Sequence, residues 1–288
     1  MLGLLVALPF ALIATAAPQA VREASSGSVK TALAPLFARA NTDPAGLVPL
    51  LCEGSRALGS LTGTEARLLG DTLEPYCRRA FFGAERVPAM EEIGLALYTV
   101  RAGDVPERIV RRYKTGAGIL SYLNEGYDER RLREGQTLKV LDLSTASGAH
   151  LEIAVDKALY RLAAWRIDAE GRRSLVTYVP VGLGAAASPT PSGRTSITLR
   201  ARNPEWTDPV TKTVFAAGDP RNVLGGYWIA LDAAGLGKSG IGLHGFTGDV
   251  PANWIEQPAS QGCVRMLSGD IDRLFYLALE GTSVSIGP

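Results

Sequence analysis

Histidine is almost missing from this sequence. Among 288 residues it occurs twice, at His150 and His244, and cysteine three times, at Cys52, Cys77 and Cys263. So few soft ligands do not compose a zinc cluster, and neither a metal nor any other cofactor is expected. Net charge is equally scarce: 30 Lys and Arg against 29 Asp and Glu leave +1. A chain so balanced has no global field to gather nucleic acid or an anionic membrane surface. No glycine-rich loop follows a strand and opens a helix, so nucleotide chemistry has no support. Hydrophobic residues at 46% and charged residues at 20% exclude wholesale disorder and leave room for about two domains with cores of their own.

Charge is also absent from the start of the chain. Met1 to Ala17 carries none, the first charged residue is Arg22, and Ala14-Thr15-Ala16 is the small-residue pattern of a signal-peptidase site. The run is shorter than the roughly 18–20 apolar residues of a membrane span, and Pro9 interrupts it. Residues 1–20 are therefore expected to be an export signal or a membrane anchor, with a buried helix as the other reading. Residues 1–17 are the candidate membrane-contacting stretch. The remainder is expected outside the cytoplasm, in the periplasm or cell envelope.

Residues 21–90 read as a linker followed by helices. Ala, Ser and Pro dominate 21–45, whereas 46–58 and 64–81 carry apolar residues at three- and four-residue spacings, with Thr64 placed to cap the second helix. The segment reads as a spacer or small docking module. In an oxidising compartment two of three cysteines pair, and Cys52 and Cys77 are the candidate disulfide because they share this helical region. The competing reading makes them small buried hydrophobes. Either way Cys263, far off in a Gly-flanked loop, is the odd thiol.

Residues 97–142 change character. A short strand at 98–100, turn chemistry at Ala102-Gly103-Asp104, a helix from Val105 to Tyr113, a second short helix ending near Asn124 and a strand from Thr137 to Leu141 make a βααβ unit. Tyr98, Val100, Gly103-Asp104, Ile109, Tyr113, Asn124, Leu132, Gly135-Gln136 and Leu138 together resemble a LysM domain along its whole length. That resemblance implies binding to the N-acetylglucosamine-containing glycan of peptidoglycan. The candidate contacts are Gly103, Asp104, Val105 and Asn124. Val105-Pro106 departs from the Thr-Leu that usually follows Gly-Asp.

From residue 150 to 288 strand patterns take over. Leu151, Ile153 and Val155 alternate, Asp156-Lys157 suits a hairpin, and 159–162, 174–181, 195–199, 227–231 and 283–286 read as further strands. One helix is expected at Asp270–Leu279, with Ile271, Leu274, Phe275 and Ala278 on one face. The fold class expected for the whole is multidomain: helical N-terminal region, small α+β unit, mainly β domain.

A cysteine nucleophile needs a proton acceptor, a backbone that presents it and donors for the oxyanion. Cys263 lies in Ser260-Gln261-Gly262-Cys263-Val264-Arg265, where Gly262 permits a tight turn and the N–H groups of Gly262 and Cys263 are candidate oxyanion donors. Of the two histidines, His244 ends an apolar strand and precedes Gly245, the better placement for a base; His150 sits at a domain junction. The rival is a structural histidine beside an inert thiol.

The ordered motifs decide further. His244-Gly245, with fifteen residues between His244 and the segment Ser260-Gln261-Gly262-Cys263-Val264-Arg265, and Pro180 to Gly184, Pro189-Thr190-Pro191-Ser192-Gly193, Asn203 to Trp206 and Asn222 to Gly225 upstream, resemble an L,D-transpeptidase catalytic domain of the YkuD type. The resemblance implies that His244 activates Cys263, that the thiolate attacks a peptidoglycan tetrapeptide stem with loss of D-alanine, and that an amine resolves the thioester. Ser260, Gln261, Gly245 and Arg265 become candidate substrate contacts, Arg265 for a carboxylate. Gln261 stands where the family has His, and Gln cannot shuttle a proton. The alternatives are an L,D-carboxypeptidase, with water in place of the amine, and a wall-binding scaffold whose catalytic domain has decayed.

Overall fold

The computed structural model describes residues 26–287, apart from residues 145, 248–250 and 252. The expected export signal or anchor at 1–20 lies outside the described residues, and no described helix is long and apolar enough to cross a membrane. Three helices come first: α1 (Ser26–Thr42), α2 (Leu47–Leu58) and α3 (Gly63–Cys77), the last widening into a π turn at Arg78–Phe82. Helix α1 corrects the linker reading of 21–45. It tolerates Pro35 because Leu33 and Ala40 are buried, with Phe37 packed beside them, and tertiary packing outweighs the weak local signal.

The small unit follows as β1 (Leu95–Thr99), α4 (Pro106–Arg112), α5 (Ile119–Leu123) and β2 (Thr137–Leu141), with β1 and β2 antiparallel and Tyr98 opposite Leu138. It has its own core of Tyr98, Val100, Ile109, Val110, Leu120, Leu138 and Val140. It is not a bead on a string. Ile119, Leu123 and Leu141 enter the main core, and Tyr122 stacks on Tyr276 with ring centres 5.2 Å apart. Lys139 is fully buried and donates from Nζ to the carbonyls of Ala80 (2.9 Å) and Gly83 (2.6 Å) at the end of the π turn.

The large domain contains β3 (His150–Asp156), β4 (Arg161–Ile167), β5 (Arg173–Gly184), β6 (Gly193–Arg202), the hairpin β7 (Trp206–Thr207) and β8 (Val214–Phe215), β9 (Tyr227–Leu231), β10 (Gly242–His244), β11 (Pro258–Ser260), β12 (Val264–Met266), α6 (Ser268–Leu277) and β13 (Ser283–Gly287). Its sheet runs β11-β5-β12-β10-β9-β6-β13-β3-β4, and β4 pairs with β5 again, so the strands close on themselves. Strand β5 makes this possible through its length: Arg173–Pro180 pairs with β4, and Val181–Gly182 pairs with β12.

Burial along the strands explains where the N-terminal helices belong. Strand β3 alternates between buried and half-buried, as a strand with one wet face does, whereas every residue of β4 is buried. The outer face of β4–β5 is covered by α2 and α3, whose Leu47, Leu51, Leu69 and Leu73 share one core with Leu175 and Tyr178. Strand β5 carries a bulge at Val176, and next to it the helices satisfy the backbone groups of Leu175: Leu175 N–H donates to Ser55 Oγ (2.9 Å), and Cys77 Sγ donates to Leu175 O (3.5 Å). Glu74, its pKa raised by burial, accepts from Thr177 Oγ1 and from Tyr178 N–H. The helices are thus a wall of the large domain, not a spacer.

That arrangement corrects the disulfide expectation. Cys52, Cys77 and Cys263 are all free thiols. Cys77 faces β5, while Cys52, on α2, faces Glu92 at 3.9 Å. Each thiol is taken by a different partner, and burial raises the pKa of both.

Candidate active site

Strands β10 and β12 are parallel neighbours, with Leu243 opposite Val264 and His244 opposite Arg265. Paired residues on adjacent strands share a face, and so do residues two apart on one strand. His244 and Arg265 therefore lie on one face, and Cys263, the residue just before β12, stands close enough to Arg265 that the same charge bears on Cys263 and His244, although nineteen positions separate these two in sequence. His150 is elsewhere, exposed at the start of β3 and 3.3 Å from Glu152.

His244 is buried, and its Nδ1 lies 2.9 Å from the carbonyl of Gly245. A carbonyl only accepts, so Nδ1 carries the proton and Nε2 keeps the lone pair of a base. Burial pushes the imidazole down to about 4, the Arg265 charge adds to this, and the carbonyls of Gly245 and Val223 oppose it. Burial also raises the Cys263 thiol, against the pull of the Gly242 backbone, Lys238 and Arg265. The resting pair is neutral imidazole and neutral thiol, with Cys263 Sγ donating to Gly240 O at 3.5 Å.

The loop before Cys263 is held by its own backbone. Gly262 adopts φ +118, and a Cβ there would meet Ile241 Cδ1 and Lys238 Nζ at 3.0 Å, so only glycine fits without strain. Its N–H donates to Ser260 Oγ (3.0 Å), and that hydroxyl donates to Cys263 O (2.7 Å). This revises two expectations. Ser260 is buried and spent on the turn, not open to substrate, and the Gly262 N–H is engaged, which leaves the N–H of Cys263 as the candidate oxyanion donor. Gln261 is anchored through its carbonyl, which accepts from Ser188 Oγ (2.8 Å) and Lys238 Nζ (3.4 Å), and the residue itself is exposed.

Gly245 is held tightly at the end of β10, on the wall of a concavity it shares with Tyr227, Phe246 and Ile271. It is buried, its N–H donates to Leu224 O (3.1 Å), and a Cβ would approach Ile271 Cγ2 to 2.9 Å. Arg265 donates from Nη2 to Ala259 O (2.9 Å) and lies 4.0 Å over the ring of Trp254. Its Nε is buried without a partner, and it forms no ion pair with a carboxylate among the described residues.

Three residues of this neighbourhood carried no role in the sequence reading. Trp254 packs edge-on to His244 with centroids 5.7 Å apart, and against Phe246 at 4.5 Å. Lys238 bridges Ser188 and the Gln261 carbonyl. Asn222, fully buried, donates to Pro204 O (2.8 Å) and accepts from Leu224 N–H (3.0 Å), which ties the 204–224 excursion to the strand end beside Gly245. Only Asn222 left a sequence signal, within a matched motif; Trp254 and Lys238 sit in segments without pattern.

The proposed glycan residues divide in the same way. Gly103 is open on all sides, and Val105 is exposed. Asp104 clamps the turn, its carboxylate accepting from Tyr98 Oη (2.6 Å) and Arg101 N–H (2.8 Å). Asn124 departs from expectation: it is buried, donates to Leu120 O and Lys139 O, and accepts from Lys139 N–H and Arg86. With those bonds made it locks α5 to β2 and has no face for a sugar. A concavity of about 670 Å³ lies beyond, lined by Gly126, Asp128, Arg131, Arg133, Glu134 and Gln136.

Known proteins match both regions. Residues 98–141 match the LysM domain, and residues 151–286 match the YkuD family, an L,D-transpeptidase catalytic domain. A Bacillus licheniformis protein named L,D-transpeptidase YkuD is 27% identical over 194 residues, covering 67% of this chain and 100% of that protein. Bacillus subtilis YqjB, also named an L,D-transpeptidase, is 33% identical over 106 residues, 37% of this chain and 56% of that protein. Among solved structures, the L,D-transpeptidase LdtMt1 in complex with imipenem shares 14% identity and a TM-score of 0.37, over 53% of this chain and 63% of that one. The chain therefore joins a LysM domain at residues 98–141 to a YkuD-family L,D-transpeptidase catalytic domain at residues 151–286.

Proposed function

We propose that the protein transfers an acyl group from a peptidoglycan stem peptide through a thioester on Cys263. The supporting observation is the pairing of His244 with Arg265 across β10 and β12, with Cys263 just before β12 within reach of the Arg265 charge and His244 Nδ1 pinned to a carbonyl. As the stem carbonyl arrives, His244 Nε2 takes the Cys263 proton and sulfur attacks the carbon. The Cys263 N–H, at the end of the Gly262 turn, meets the oxyanion. On collapse the carbon–nitrogen bond breaks, His244 returns the proton to the departing amine, D-alanine leaves and the thioester remains. An acceptor amine then loses a proton to His244 and displaces sulfur, which regains it.

Arg265 serves this reaction as a fixed positive charge beside the developing thiolate. Gln261 replaces a histidine that this scheme does not need, because the proton moves only between Cys263 and His244. The acceptor is a neighbouring stem amine or a wall-bound protein, and the LysM domain holds the enzyme on the same polymer. Such a substrate places the protein in the cell envelope, after export.

Mass spectrometry after incubation with imipenem, whose strained cyclic amide acylates a competent thiolate, tests the first half of the scheme. A single adduct on Cys263, absent from Cys263→Ala, is expected. No adduct and no turnover of a tetrapeptide stem by the folded protein would leave only a wall-binding role.

A further inference from the structure

We propose that the N-terminal helical region positions the active site: Arg67 and Asp71 of α3, through Arg161 and Glu256, fix the 253–257 segment whose Trp254 walls His244 and Arg265. The proposal rests on Cys263 and His244 being the catalytic pair. Helix α3 lies outside residues 151–286 matched to the catalytic family, so the clamp is an addition to that domain.

Four charges form the clamp, two on α3, one on β4 and one on the active-site segment. Glu256 Oε1 accepts from Arg67 Nη2 (2.6 Å) and from Arg161 Nη1. The other edge of Arg161 grips Asp71 with both nitrogens, at 2.7 and 2.9 Å. Arg67 Nε closes the ring 3.7 Å from Asp71. Arg67 and Asp71 are one helical turn apart, so a single face of α3 presents both. Half-exposed pairs of this kind contribute little singly. Here they converge on Arg161, whose side chain is only 6% exposed and needs both carboxylates.

Glu256 transmits the grip. It is a non-glycine residue at φ +57, a conformation that persists only where its surroundings hold it. Its N–H donates to Val181 O (3.0 Å), and the next carbonyl, of Gln257, accepts from Leu183 N–H (3.0 Å). Two residues upstream, the Trp254 carbonyl occupies the place a Cβ on Gly182 would take, only 1.9 Å from it. The Trp254 ring then meets His244 at 5.7 Å and the Arg265 guanidinium at 4.0 Å. A shift of Glu256 therefore moves the wall against which both are set.

The test uses the full chain with Arg67→Ala and Arg67→Lys, and Asp71→Asn should the first not fold. Three quantities are read: amide hydrogen exchange of residues 253–257, the limiting rate of Cys263 acylation at saturating imipenem, and the thermal midpoint. Arg67→Ala should speed exchange in the segment and slow limiting acylation about tenfold. The half-saturating imipenem concentration and the midpoint should move little, and Arg67→Lys should recover most of the rate. Unchanged exchange, or faster exchange with an unchanged limiting rate, would overturn the proposal. A wild-type protein that forms no adduct would overturn the catalytic reading and this one with it. An adduct formed at a rate indifferent to Arg67 would overturn this one alone.

Discussion

Arg265→Met separates two roles for that arginine, a carboxylate clamp on the substrate and a fixed charge beside the thiol. The geometry favours the charge: Cys263 directly precedes β12, two residues from Arg265 and roughly 7 Å from it between stems in extended chain, and each influences the other's ionisation. At that separation and an effective dielectric of about 20, the cation stabilises a thiolate by about 2 kcal/mol, or about 1.5 pH units. The half-exposed guanidinium is partly screened, so this is an upper bound. The same charge lowers the His244 pKa. Its removal should therefore raise both groups. The assay is the rate of Cys263 acylation by imipenem from pH 3.5 to 9. In the wild type the acid limb should lie near 4, where His244 protonates and ceases to be a base. In Arg265→Met the rate at neutral pH should fall about tenfold, and the acid limb should move upward. The reasoning fails if rate and limb are both unchanged. A loss confined to KM for a stem peptide, with imipenem unaffected, would assign Arg265 to substrate carboxylate binding instead.

His244 also predicts a pH dependence of stability. Its folded pKa of about 4 lies below the ordinary 6.5, so the unfolded chain binds more protons between these values. Stability should be full above 6.5 and fall by about 3 kcal/mol as the pH drops through 4, and His244→Gln should flatten that slope in urea unfolding. The free thiols predict indifference to reductant: the thermal midpoint should be the same with and without dithiothreitol, and protein unfolded without reductant should titrate three thiols. A titre of one would restore the Cys52–Cys77 bond. Lys139→Ala should cost about 2–4 kcal/mol, through an emptied buried site and two carbonyls left without a donor. It should also raise amide exchange across β2 before the strands of the large domain; equal exchange in both would show that Lys139 does not join them.

Most of the architecture was legible because its signals are local. Alternation in Leu151, Ile153 and Val155, the turn at Gly103-Asp104 and the apolar face of α6 each need only a few consecutive residues. The candidate pair, His244 and Cys263, came from the ordered motifs and their resemblance to the YkuD type, because two histidines and three cysteines alone left a structural histidine beside an inert thiol open. What stayed hidden depends on contacts between distant segments. Helix α1 lacks a strong amphipathic pattern and forms where Leu33 and Ala40 find a core. Cys52 and Cys77 look like a pair until each is seen against its own partner. Asn124 has the composition of a sugar contact, but Lys139, fifteen residues on, takes its side chain inward. Trp254 and Glu256 belong to a segment with no periodicity, and only the fold shows that it touches both α3 and His244.

The way the parts dock constrains how a wall-bound enzyme of this design works. A LysM domain on a flexible tether would raise the concentration of stems near Cys263 without choosing among them. Here the domain is fastened to the catalytic domain by Tyr122 on Tyr276, and to the N-terminal region that walls it by Lys139 under the π turn and by Arg86 on Asn124. Gly118 sits so close to Tyr276 that a Cβ would reach its ring at 2.1 Å, so a larger side chain there must displace the ring that stacks on Tyr122. A glycan strand held on the LysM face would then stand at a set distance and angle from Cys263. Rigid spacing selects those stems whose position along the strand matches it, and leaves the others bound but unreacted. On the proposed function, a binding domain docked in this way would act as a ruler and not only as a concentrator. Gly118→Ala, by displacing the Tyr276 ring and loosening its stack on Tyr122, should widen the range of cross-link positions on intact sacculi while leaving the rate on a free tetrapeptide stem unchanged.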